Sequence, residues 1–561
     1  MICQIKFMLQ QFKYIISLFL VVNLTCCSKS TFDINVDPNN PSSLPVNNLL
    51  PQIEQSMGLA SAIYSGMSAT LEVYMHRITV TEAPNVYNVT GSSGYVDPMW
   101  DTYYSTTLTN ANIIISDATA AGNFKYAGIA KIIKAYAVSQ LVDVFGDIPY
   151  TEATQLLGNV RNPVFDVDST IYPKLFTLID EGIANLKNPA SNPLSPGAGD
   201  VVYGGDVNKW VKAANTLKLK LYTQIRLVKN VSAEVSALLA NPANLISATS
   251  ENFQLPYSSD SKNPGYNDYS AAQRTQNMSP WFYEILKGYN LNIFYGIQDP
   301  RIPYYFFNQI AQGQDAVNDN NPTEYRDGSF VSIYFGSNGN DVGRSQQNTM
   351  TILGIYPVGG KYDDGVGAPI NATSATGAAP YRFITYADRL YLEAELIKQG
   401  VITGNARDKT LAAITESFKQ VDAVVRNTGS AGVPLLTGSA EVEDYILKVM
   451  AEYDANVGKQ LEIIMTQKWI SSFGSAIDAY TDYRRTGFPI LFDPNNPLMA
   501  PGGEVQPPLD GNPLLVPQAP VPVSLNMAYP LSLPWPTAEL TSNLNAPAQK
   551  QPATDKVFWQ P

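Results

Sequence analysis

The chain has 561 residues, 45% of them hydrophobic and only 15% charged, with a net charge of −12. An acidic balance of this kind leaves no electrostatic footprint for DNA or RNA, so no nucleic-acid partner is expected. A single histidine, His76, and three cysteines confined to Cys3, Cys26 and Cys27 exclude a serine–histidine hydrolase built from several candidates, a two-histidine metal centre and a disulfide framework.

Residues 1–26 read as an export signal. Lys6 and Lys13 form a basic start and residues 14–24 an apolar stretch too short for a comfortable membrane span. Leu24-Thr25-Cys26-Cys27 resembles a bacterial lipobox, which implies lipidation of Cys27. Residues 27–48 are polar, with prolines at 38, 41 and 45, and read as an anchored tether. Residues 49–250 are expected to form the first part of a helical scaffold, with helices at 49–65, 100–120, 125–145, 169–186 and 208–229. In the third of these, Ile129, Ile132, Ile133, Tyr136, Ala137, Gln140, Leu141 and Val144 recur at spacings of three and four, which puts them on one broad face. Asp168 or Ser169 and Asp206 are the expected N-caps. Gly146 is placed to end the third helix, and Pro149 forbids its continuation. Residues 251–380 change to Asn, Asp, Gly, Tyr and Ser, with one helical stretch at 280–289, and read as a loop-rich ligand-binding insertion. Helices return over 381–490, at 384–399, 407–426, 440–453 and 457–473. Residues 491–561 are proline-rich and are expected to be a C-terminal loop segment.

Two stretches carry a family resemblance. Asp143-Val-Phe-Gly-Asp-Ile-Pro-Tyr150, at the end of an amphipathic helix, and Gln467-Lys-Trp469 leading to Asp482-Tyr-Arg-Arg-Thr-Gly487 resemble the SusD/RagB family of surface glycan-binding lipoproteins. Over residues 32–559 the chain is similar to the SusD-like nutrient-binding branch. The resemblance implies a mainly α fold: a tetratricopeptide-like helix-hairpin scaffold with a large loop-rich insertion and a Pro-rich C-terminal segment. It implies a lipid-anchored outer-membrane protein that is not an enzyme. Such a protein captures oligosaccharide and delivers it to a SusC-like TonB-dependent outer-membrane transporter. A peptide ligand in the same system is one alternative reading, and a secreted glycoside hydrolase is another. The family has a basic residue shortly before Pro534-Trp-Pro, where this chain has Ser532 and Leu533.

No catalytic set is expected. Glu393 and Glu395 are two apart on one helix and do not converge across a glycosidic bond, so they read as helix-surface acids. Residues 315–324 hold oxygen ligands suited to calcium but lack EF-hand glycine and spacing. They read as a solvated loop, with a structural calcium ion as the alternative; no other metal or cofactor is expected. Asp143, Gly146, Asp147, Pro149, Arg484 and Arg485 are assigned structural roles as turn, cap and anchoring residues. The ligand candidates are the aromatic residues of the insertion: Trp281, Tyr283, Tyr304, Tyr305, Tyr266 and Tyr269. Their rings suit the apolar C–H faces of sugars and keep a polar edge. The competing reading for each is packing of the insertion onto the helices.

Overall fold

The computed structural model describes residues 44–561 except 82, 93, 156–158, 271–273, 275, 315–323, 339–346 and 507–518. The export signal, Cys27, nearly all of the tether and most of the calcium candidate at 315–324 lie outside the described residues. Among the described residues no helix is long and apolar enough to cross a membrane.

The first part of the scaffold includes the helices α1 (Val46–Ser61), α2 (Met67–Tyr74), α3 (Thr109–Ala120), α4 (Phe124–Phe145), α5 (Asp168–Leu186) and α6 (Val207–Ile225). Helix α1 starts within the stretch expected as tether, directly after Pro45. The N-cap of α6 is Asp206, whose carboxylate accepts from the Asn208 and Lys209 amides. That of α5 is Val167 and not Asp168 or Ser169; Asp168 is already helical and its side chain accepts from Ser169 N at 2.6 Å. Helix α4 is enclosed more fully than a one-sided stripe implies. Ala130, Val138 and Val142 are buried as well, because α1, α3, α5 and α6 all pack on it. Its crossing with α5 is made at glycines: a Cβ on Gly128 would lie 2.8 Å from the Gly182 carbonyl oxygen.

The longest helix described within residues 251–380 is α7 (Pro280–Lys287). The block opens and closes on one antiparallel ribbon, Phe253–Leu255 against Tyr381–Ile384, with Gln254 opposite Arg382. Five helices follow: α8 (Tyr386–Lys398), α9 (Ala406–Thr428), α10 (Ala440–Ala455), α11 (Gln460–Ser471) and α12 (Ala476–Thr486). Helix α6 packs directly on α8, and α8 on α9. The stack of helices therefore continues in space across the intervening loops, as in tetratricopeptide-like arrays.

The C-terminal segment threads back to the end of α4. Leu533 N donates to Val144 O at 2.9 Å, Trp559 Nε1 to Asp143 Oδ1 at 3.0 Å, and Trp535 Nε1 to Asp147 O at 2.9 Å. Arg484 Nη1 donates to Leu531 O at 2.7 Å, and its Nη2 to the Asp143 carbonyl. Gly146, at φ +74°, turns the chain out of α4, and Pro149 pairs with Phe165. Asp147 accepts from Asp168 N at 2.8 Å, fixing the start of α5.

Glu393 and Glu395 correct an expectation: both are buried, not surface acids. Arg485 bridges Glu395 at 2.8 Å and Asp482 at 2.6 Å, and Arg226 reaches Glu395 at 2.9 Å. Glu393 pairs with Arg389 at 2.7 Å and with Lys409. Removal from water is tolerated because each carboxylate meets guanidinium or ammonium groups.

Candidate ligand-binding site

Helix α7 positions the site. Pro280 opens it, where a missing N–H costs nothing, and Phe282, Ile285 and Leu286 bury its inner face. Gly288 closes it at φ +74°. A Cβ there would lie 2.6 Å from Ile297 N, so both the backbone conformation and the close approach require glycine. The loop after α7 is laced to the helix end by Gly296 N to Gly288 O at 2.8 Å and Asp299 N to Leu286 O at 2.7 Å.

The loop is then anchored in the scaffold by Asp299-Pro-Arg301. Arg301 is fully buried. It pairs with Asp299 at 2.6 Å and donates to Ser417 Oγ at 2.9 Å and to Tyr445 Oη and Gln467 Oε1 at 3.2 Å. The carboxylate of Asp299 and the rings around it hold the guanidinium charged in spite of burial.

Three clefts adjoin along this anchored surface. The first, of about 570 Å³, lies between the loop at 296–304 and α10, with Tyr304, Tyr362, Asp444 and Lys448 among its walls. The second, of about 700 Å³, is walled by Tyr283, Tyr289 and Tyr362 and edged by Lys287, Asn308, Asp363 and Asp364. Gln298, Pro303 and Tyr362 belong to both. The third, of about 680 Å³, contains Trp281, Glu284, Leu291 and Leu498, and shares Tyr289 with the second. The result is one groove whose sections meet at Tyr362 and Tyr289.

Its polar groups are held in place. Asn308 Nδ2 donates to Asp363 Oδ2 at 2.6 Å, and Gly365 N to Asp363 Oδ1 at 3.1 Å. Burial raises the Asp363 carboxyl above the usual range, and those two donors pull it back in part. Burial also pushes Glu284 up to about 7, with the Tyr325 hydroxyl opposing and Asp327 adding to the effect. Lys287 Nζ stands 5.8 Å from the ring centroids of both Tyr283 and Tyr289.

The six sequence-predicted aromatic residues separate into two sets. Trp281, Tyr283 and Tyr304 line the third, second and first clefts respectively. Trp281 is half-buried and donates from Nε1 to Ile490 O at 3.2 Å. Tyr283, 5% exposed, stacks on Phe330 at 3.8 Å, and Tyr304, 2% exposed, donates to Pro434 O at 2.7 Å, so both are nearly buried wall residues. Tyr305, Tyr266 and Tyr269 are buried and line none of these three clefts. Tyr305 donates to Ile470 O at 3.0 Å. Tyr266 and Tyr269 stack at 4.7 Å and donate to Ala375 O at 2.7 Å and Leu353 O at 2.8 Å. Sequence reasoning passed over Tyr289 and Tyr362, the more accessible rings. The signal for the first was available: an aromatic residue directly after a helix-closing glycine has left the buried stripe.

The sequence matches, over residues 38–507, the family described as "Starch-binding associating with outer membrane". The chain belongs to the SusD-like family. No curated protein sequence matches it. Among solved structures it is similar to a SusD/RagB family protein from Bacteroides thetaiotaomicron VPI-5482, with TM-score 0.66 and 20% identity, covering 92% of this chain and 99% of that one. It is also similar to a protein described as chitin-binding, with TM-score 0.65, 20% identity and coverage of 92% and 100%. A chitin-binding SusD homolog from Flavobacterium johnsoniae gives TM-score 0.59, 20% identity and coverage of 92% and 96%. At these identities the likeness establishes the SusD-like fold.

Proposed function

We propose that this SusD-like protein is a cell-surface lipoprotein that captures an oligosaccharide in the groove of the insertion and passes it to a TonB-dependent outer-membrane transporter. The observation that carries the reading is the joining of three clefts at two accessible tyrosines. A linear chain of sugars presents an apolar face at each ring and hydroxyls at each edge. Tyr362 and Tyr289 take the faces; Gln298, Asn308, Asp363, Asp364 and Lys287 take the hydroxyls. No bond is broken in this reading: the protein binds and hands over. The family description and the chitin-binding neighbours favour a glycan. Anchoring at Cys27 would hold the protein beside its transporter at high effective concentration.

A peptide ligand is the second reading, favoured by Leu291 and Leu498, which are 83% and 93% exposed in the third cleft. Titration of the full chain with starch and chitin oligosaccharides and with a peptide mixture separates the two. Saturable binding of an oligosaccharide, weakened in Tyr362→Ala, is the expected result. Binding of peptides alone overturns the glycan assignment.

A further inference from the structure

Exposed apolar side chains gather at one end of the groove. Tyr289, Leu291, Ile490 and Leu498 all line the third cleft, at 37%, 83%, 38% and 93% exposure. Single apolar residues scattered on a surface need no explanation, but a group of them around one concavity marks a contact site. The interior of the cleft is apolar as well. Ile285 and Ile293 are buried in its wall, and half-buried Trp281 packs against Phe492 with ring centroids 5.7 Å apart.

The two leucines stand on turns closed by hydrogen bonds. Around Leu291, Asn290 Oδ1 accepts from Asn292 N at 2.9 Å and from Ile293 N at 3.2 Å, and Lys459 Nζ donates to Asn292 Oδ1 at 2.8 Å. Leu498 N donates to Asn496 Oδ1 at 2.9 Å, and Ala500 N to Asn496 O at 2.8 Å. Side-chain-closed turns of this kind fix the backbone. An apolar group that arrives is spared the entropy of ordering the rim.

Charge sets this section apart. Lys448 lines the first cleft and Lys287 the second, whereas no lysine or arginine lines the third among the described residues. Its charged residues are the acids Glu284 and Glu462. A phosphate, sulfate or carboxylate would meet no counter-charge there.

We propose that the third cleft seats an apolar substituent, aryl or short-chain aliphatic, carried at one end of the oligosaccharide that lies in the other two. The proposal rests on the oligosaccharide reading of the groove, and Tyr289 makes the connection. It lines both the second and the third cleft, so a sugar laid on it brings an end substituent into the third. The third cleft shares no lining residue with the first, which makes it an end section. Its volume of about 680 Å³ is that of a small-molecule site. One ligand of this class uses both the hydroxyl-binding sections and the apolar rim.

Starch and chitin hexasaccharides are titrated into the full chain by calorimetry, plain and with a phenyl or a butyl group at the reducing or at the non-reducing end. At least one substituted sugar should bind about tenfold or more tighter than its parent, the usual worth of an apolar group in an apolar pocket. A gain from phenyl alone identifies an aryl site, and a gain from butyl alone an aliphatic one. In the double variant Leu291→Asn, Leu498→Asn the ratio of substituted to plain affinity should fall close to one. Both positions are on the surface, so its melting temperature should match the wild type. Plain sugars that bind with no gain from any substituent, or a gain that persists in the double variant, would overturn the proposal and leave the oligosaccharide reading standing. Failure of every sugar, plain or substituted, would overturn both. Phenol, n-butanol and a trileucine peptide are the sugar-free controls. Binding of any of them as tight as the best substituted sugar would show that the cleft works without the saccharide, which also overturns the proposal.

Discussion

Asp143 is fully buried at the end of α4, and its Oδ1 accepts from Trp559 Nε1 at 3.0 Å and from the Tyr172 hydroxyl. The nearby Arg484 spends its donors on main-chain carbonyls of Asp143, Leu531 and Tyr480, not on this carboxylate. Burial therefore dominates and pushes the Asp143 carboxyl up to about 6 from 3.8, with Lys220, Tyr172 and Arg484 opposing. A folded state that holds the proton more tightly than the unfolded chain is favoured by this site below pH 3.8. That contribution is lost as pH rises through about 6. The displacement corresponds to about 3 kcal/mol. Asp143→Asn retains an Oδ1 acceptor for Trp559 and Tyr172 and removes the titration. Denaturant midpoints of wild type and variant, compared between pH 4 and 7.5, isolate the effect because every other group is common to both. The stability of the variant relative to wild type should rise by about 2.4 kcal/mol across that range, the rest of the contribution lying below pH 4. A flat difference, or a wild type that gains on the variant as pH rises, would refute the reasoning and mean that the ionised carboxylate is held by Arg484 after all.

Tyr289→Ala and Tyr362→Ala should each weaken oligosaccharide binding by about 1–3 kcal/mol in titration calorimetry, with unchanged melting, because neither ring is a core residue. Arg301→Ala should destabilise the protein by about 3–5 kcal/mol in denaturant unfolding, since it leaves Asp299 buried and unpaired and frees the loop that shapes the first cleft. Cys27→Ala should move the protein from the membrane to the soluble fraction, and unchanged membrane association would rule out the anchor. Gentle solubilisation of native membranes should recover the protein with a large barrel protein. Recovery alone, under conditions that preserve a known pair of this kind, would count against the transporter handover.

Helices α4 and α6 are legible because each carries a stripe at helical spacing and a closing glycine or an N-cap, and α5 is legible by its stripe alone. Helix α2 is not, because Ser68, Thr70 and Glu72 are buried alongside its apolar residues, so burial ceases to follow hydrophobicity. Glu395 misleads for the same reason: its partners Arg226 and Arg485 are 169 and 90 positions away, on α6's exit and α12. In the insertion, composition marks an aromatic-rich block but cannot orient its rings. Tyr304 and Tyr305 are neighbours in sequence, yet one edges a cleft while the other is locked beneath it by the Ile470 carbonyl. The groove is shaped by Gly288 and by Asp299 with Arg301, and its rings are placed by those long-range anchors.

A crystal structure of the protein with an oligosaccharide that binds it in titration tests the groove most directly. The account predicts sugar rings laid against Tyr289 and Tyr362, with hydroxyls on Asn308, Asp363 or Lys287. A sugar seated on the helical scaffold, with both tyrosines left in solvent, would contradict it.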